Sequence, residues 1–187
     1  MSNDYLIMNC SPTLAGLKTG NMFVVKNITK SNMREDIRSL NKILTSRGLR
    51  AVPLRYGTNS ALIYIYRPEY LMRDLKRPDA ASILMEKGYI PGTAESYIAQ
   101  LACRICSEGE FPHEVGLFLG YPPSDVKGFM KDPKGGKPCV GYWRVYSNMD
   151  EAKKTFARFR KCTEMYRKQI EKGCPLERLI VRCACPM

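Results

Sequence analysis

Histidine and tryptophan are nearly absent from this chain: His113 and Trp143 are the only ones among 187 residues. Any imidazole chemistry therefore rests on His113, the one side chain whose ordinary pKa lies near neutrality. Long apolar runs are missing as well. The longest, such as Ala61–Tyr66, fall far short of the about 20 residues that a bilayer-spanning helix needs, so no membrane insertion is expected. The start, Met1-Ser-Asn-Asp-Tyr-Leu-Ile-Met8, has neither a basic leader nor an apolar core, which argues against a secretory signal and for a cytoplasmic protein. Repeats, low-complexity tracts and paired catalytic carboxylates are not evident, and Gly135-Gly136 lacks the strand–loop–helix setting of a phosphate cradle. Acidic residues are in deficit, 18 against 30 Lys and Arg, for a formal charge of +12. That charge attracts polyanions, yet no RRM, KH or zinc-finger signature goes with it. The expectation is weak, non-specific polyanion binding.

Eight cysteines are present. In a reducing compartment they read as thiols, metal ligands or nucleophiles rather than a disulfide framework.

The periodicities point to α+β (or α/β) architecture in a single domain spanning 1–187. It would hold a mixed or largely antiparallel sheet of about five strands flanked by helices, with a flexible tail from about residue 183. Pro12 suits the first position of a short helix over 12–18, and Met22–Val25 reads as a strand. Ser31 or Asn32 would cap an amphipathic helix carrying Met33, Ile37, Leu40 and Leu44, ended by Gly48. Ala51–Arg55 and Ala61–Arg67 flank a hairpin turn. Helices follow from Pro68, from Asp79, over 94–107 behind Thr93, and from Pro122 or Pro123. A strand is expected after His113, with the imidazole at its mouth, and others over Val140–Tyr146 and Leu176–Arg182. The longest helix covers 150–172, with Phe156, Phe159, Tyr166 and Ile170 along one side.

Three constellations are candidates for chemistry. Cys10 at a helix start would feel the positive end of the dipole, which favours thiolate. With His113 as base it would make a papain-like Cys–His site for hydrolysis or group transfer. Asp125 is then a candidate orienting residue, although no Asn or Asp lies in 140–146. The plainer alternative is a buried Cys10 and a hydrogen-bonded His113. Second, Cys103 and Cys106 (CxxC) with Cys183 and Cys185 (CxC) form a candidate ligand set for zinc or iron. Cys174-Pro175 and Cys185-Pro186 resemble regulatory haem-binding dipeptides. Third, Glu151–Lys172 carries eight basic residues (Lys153, Lys154, Arg158, Arg160, Lys161, Arg167, Lys168, Lys172) against three acidic, a surface for nucleic-acid phosphates.

Three sequence words are specific: Cys10-Ser-Pro-Thr-Leu-Ala-Gly-Leu-Lys18, Pro112-His-Glu-Val-Gly-Leu-Phe-Leu-Gly-Tyr-Pro122 and Gly141-Tyr-Trp-Arg-Val-Tyr146. On these the chain resembles an uncharacterised bacterial domain-of-unknown-function family, found mostly in anaerobes. The resemblance runs from Asn9 to about Cys162 and implies one full-length domain without an assigned activity, so it transfers no catalytic residue.

Overall fold

The computed structural model describes residues 2–107, 110–136 and 139–182. Among these, three strands form one antiparallel sheet: β1 (Gly20–Lys26), β2 (Arg50–Tyr56) and β3 (Ser60–Tyr66), in the order β1-β3-β2. The β2–β3 hairpin turns through Gly57–Asn59, as its punctuation predicted. β2 is an edge strand, which accommodates Pro53; the register shifts between Pro53 and Arg55.

Alternation along β3 divides the core into two layers. Ala61, Ile63 and Ile65 face α1 (Asn3–Leu14) and α2 (Lys30–Leu44), packing with Leu6, Cys10, Leu14, Met33 and Leu44. Tyr64 and Tyr66 face the other way and stack on each other at 4.9 Å. Beneath them lie α3 (Pro68–Leu75), α4 (Pro78–Glu86), α5 (Ala94–Cys106), α6 (Val115–Phe118) and α7 (Pro123–Lys131). Tyr64 Oη donates to the Phe118 carbonyl at 2.6 Å, which ties α6 to the sheet. The long α8 (Met149–Glu171) crosses α1, and α9 (Leu176–Leu179) closes the first layer.

Local chemistry explains the helices that were expected. Thr29 caps α2, Thr93 caps α5 and Asn148 caps α8, each side chain accepting a first-turn N–H. Gly48, at φ 77°, ends the 3-10 turn that follows α2.

Five expectations are corrected. The sheet has three strands in the described residues, not about five. The first helix starts at Ser2, which caps it, so Pro12 lies inside its last turns rather than at its start. The run after His113 is the single helical turn α6: four apolar residues suit either period, and Gly120 at φ 74° reverses the chain immediately after it. Residues 140–146 fold back on themselves, Val140 bridging Arg144, while 176–179 are a helical turn behind Pro175.

One buried side chain joins three of these parts. Arg67, 0% exposed, leaves the end of β3 and donates from Nε to the Thr13 carbonyl and from Nη2 to the Leu14 and Val181 carbonyls, at 2.7–2.8 Å. Thr13 and Leu14 are among the last residues of α1, whose carbonyls lack helical partners and carry the dipole's negative end. Arg67→Ala should therefore lower unfolding stability by about 3 kcal/mol, because three charge-assisted bonds are lost and the Thr13 and Leu14 carbonyls keep only the Gly16 and Val181 N–H groups. Arg67→Lys should recover less than half, since an ammonium cannot reproduce the planar fork. Urea titration reads both, and a loss below about 1 kcal/mol for the alanine variant would contradict the role.

Candidate functional site

The candidate thiol pair is not assembled. Cys10 lies in the third turn of α1, 0% exposed, in the core layer against Ile63 and Ile65. His113 stands beyond the opposite face of the sheet, edge-on to Phe129 of α7 at 5.0 Å, with Nε2 3.9 Å from Glu110. The sheet separates them. The helix-start argument fails too, because α1 begins seven residues before Cys10. Burial instead pushes the Cys10 thiol far above its ordinary range, against the opposing pull of Lys18. Asp125 orients no histidine. Its buried carboxylate accepts from Trp143 Nε1 (2.8 Å), Tyr146 N–H (2.8 Å) and Ser147 N–H (2.6 Å), and so folds the 140–147 turn onto α7.

Cys103 and Cys106 are exposed on the last turns of α5, where Cys106 Sγ contacts the Leu54 carbonyl at 3.5 Å. Cys183 and Cys185 lie outside the described residues, and so does the expected tail. Among the described residues no three His, Cys, Asp or Glu side chains gather as a metal-binding group. No described helix is long and apolar enough to cross a membrane. The basic residues of α8 are spread around its exposed surface, and two of them pair along the helix, Lys154 with Glu151 and Arg167 with Glu171.

What the fold does assemble is a cleft of about 420 Å³ where all three sequence words meet. The first word contributes Gly16, Leu17 and Lys18, the second Gly120, Tyr121 and Pro122, and the third Trp143. Gly16, at φ 73°, turns the chain out of α1 beside Arg67. At Gly120 a Cβ would meet Thr19 Oγ1 at 2.7 Å, so the second word can approach the first only as glycine.

Lys18 sits at the centre. It is 5% exposed, and its Nζ stands 5.1 Å from the Tyr121 ring centroid, a cation–π contact. No described carboxylate pairs with it. Burial lowers its pKa to about 8, partly offset by Cys10. The rim adds Arg73 and Arg77 from the α3–α4 region and Arg158 from α8. Arg73 Nε binds Asp74 at 2.9 Å, and the same carboxylate accepts the Thr19 hydroxyl. The lining thus holds four cations and one carboxylate. Its aromatic wall is rigid: Tyr121 Oη donates to the Tyr142 carbonyl at 2.8 Å, and its ring lies 5.0 Å from Trp143. Burial pushes the Tyr121 phenol up to about 12, so it stays a neutral donor.

A family model described as a protein of unknown function, DUF3793, matches residues 6–180. The chain belongs to that family. No curated protein and no solved structure matches it.

Sequence reasoning missed Lys18, Arg73, Asp74, Arg77 and Arg158 as a group. The one available signal was Lys18 closing the first word after an otherwise apolar Leu14–Leu17.

Asp125→Ala should cost about 3 kcal/mol, since three partly buried donors lose a charged acceptor. It should also shift the emission of Trp143 to the red. Asp125→Asn should recover only part, because its amide nitrogen faces donors. Unchanged melting in the alanine variant would mean that the turn is held by other contacts. In the folded protein at pH 8, iodoacetamide should modify Cys103 and Cys106 and leave Cys10 intact until denaturant is added. Rapid native-state labelling of Cys10 would restore the nucleophile.

Proposed function

We propose that this protein binds a small organic anion, bearing a phosphate or carboxylate group, in the Lys18 cleft. The observation that carries the reading is a nearly buried lysine, with no carboxylate partner among the described residues, lining a cavity rimmed by three arginines. A buried unpaired charge is costly to a folded protein. At an effective dielectric of about 20, an anion at about 4 Å from one cation recovers about 4 kcal/mol, so a ligand can supply the compensation that the fold withholds. Arg158 adds charge, while Arg73 and Arg77 are partly satisfied by Asp74 and Asp79. Trp143 and Tyr121 provide stacking surface for the remainder of the ligand. The exposed basic residues of α8, in this reading, give only salt-sensitive and sequence-indifferent attraction to polyanions.

Lys18→Met separates a functional from a structural lysine. The methionine keeps the apolar stem and removes the charge, so the ligand-free variant should be more stable than the parent by about 1–3 kcal/mol. It should also lose the rise in melting temperature that inorganic phosphate or malonate gives the parent at fixed ionic strength. Comparing the two anions distinguishes phosphate from carboxylate preference. If phosphate, malonate and chloride at equal ionic strength give the same melting temperature, the proposal fails. It fails equally if Lys18→Met responds like the parent.

The pH dependence follows from the same residue. Malonate keeps its charge between about pH 7 and 9, whereas Lys18 loses its proton around 8. Malonate affinity should be full below about pH 7.5 and fall at least threefold by pH 9. Because a bound anion favours the ammonium, binding near pH 8 should take up protons, measurable as a buffer-dependent heat. A flat profile over this range would remove Lys18 from the site.

A further inference from the structure

A second cavity, of about 300 Å³, adjoins the Lys18 cleft, and Tyr121 and Trp143 belong to the walls of both. We propose that the ligand is amphipathic: its anionic group meets Lys18, while an apolar or aromatic body fills this second chamber against Val115, Val126 and Phe129. The inference rests on the anion-binding reading and adds the ligand's chemical class.

The walls carry the argument. Phe111, Val115, Val126 and Phe129 face the space together with the two shared aromatics. Two of the three charged or imidazole side chains that border it are engaged. Asp125 accepts three hydrogen bonds from the 143–147 turn. Arg144 Nη1 donates to the Lys134 and Gly135 carbonyls, at 3.2 and 2.9 Å. The His113 ring is turned edge-on to Phe129. The imidazole nitrogens of His113 are thus the main polar point left on a wall that is otherwise apolar, and apolar space is favourable only to apolar matter.

Nor can the chamber close by repacking. Trp143 is pinned by Asp125 and Tyr121 by the Tyr142 carbonyl, so the partition between the two spaces stays in place. Protein interiors leave few voids larger than a water molecule, and an engineered cavity of about 150 Å³ accepts benzene. A volume of about 300 Å³ suits a ring system or a short alkyl chain. Phe111, 43% exposed, stands at the mouth.

The test uses the full chain and its single tryptophan, which lies in the shared wall and reports on both chambers. Inorganic phosphate, phenyl phosphate and hexyl phosphate are titrated while Trp143 emission is followed. The two esters should bind at least tenfold more tightly than inorganic phosphate. In Phe129→Ala the ratio of ester to phosphate affinity, measured on that variant, should drop below threefold. Phe111→Ser, at the half-exposed rim, should also lower it and serves if Phe129→Ala fails to fold. Esters no tighter than inorganic phosphate would overturn the amphipathic ligand and leave the Lys18 reading standing. A tight ester whose advantage survives both substitutions would place its apolar body elsewhere and overturn the chamber assignment. If none of the three binds, the anion-binding reading falls and the chamber with it.

Discussion

The rest of the molecule hangs on the Arg67 guanidinium. A three-stranded sheet with two open edges is a modest scaffold, and α1, the end of β3 and the 180–182 segment come from widely separated parts of the chain. Arg67 binds the terminal carbonyls of α1 and the carbonyl of Val181 in one planar array. Its own backbone N–H donates to the Thr19 carbonyl at 2.9 Å. The chain between Leu14 and Thr19 is therefore held at both ends by a single residue, and Lys18 lies within that span. The position of the cleft's central cation is a consequence of how α1 is terminated.

A second constraint comes from the opposite side of the cleft. Asp125 collects the indole of Trp143 and two backbone N–H groups, converting an apolar, strand-like segment into a compact turn. Strand pairing would have used those N–H groups on a neighbouring backbone. Here a buried carboxylate takes them, with stronger, charge-assisted bonds. The turn then brings Trp143 against Tyr121 and against Phe156 of α8. Two charged groups, each satisfied mainly by backbone, thus position the basic and the aromatic walls independently.

This division explains what was legible from residues alone. α2, α5 and α8 carry a 3.6-residue apolar stripe and a side-chain cap, both local properties, and their bounds were readable within a few residues. The β2–β3 hairpin is equally local. The segments misread, 12–18, 115–120, 140–146 and 176–182, are those where the local pattern was ambiguous or a group elsewhere in the chain overrode it. Pro12 suited a helix start, but Ser2 and Asp4 had already begun the helix upstream. The run at 115–118 has no periodicity long enough to choose between helix and strand, and 140–146 obeys Asp125. The Cys10–His113 idea failed for the same reason: it needed a helix start and a strand mouth, and neither exists. For the cleft, the three words were visible but their meeting point was not. A lone lysine carries no pattern, and Arg73, Arg77 and Arg158 belong to separate helices or their connections.

Lys18 and Arg67 stand close in the chain's fold yet face opposite energetic situations. Arg67 is buried with its donors spent on carbonyls, so its charge is solvated by the backbone itself. Lys18 is nearly as buried along its stem, but its ammonium opens onto the cleft, where it meets the face of Tyr121 and makes no described ion pair. The lowered pKa expresses that burial. Asp74, the one described carboxylate in the cleft lining, is held by Thr19 and Arg73. The ammonium thus lines the cleft with no described carboxylate paired to it, and the anion-binding proposal rests on that arrangement.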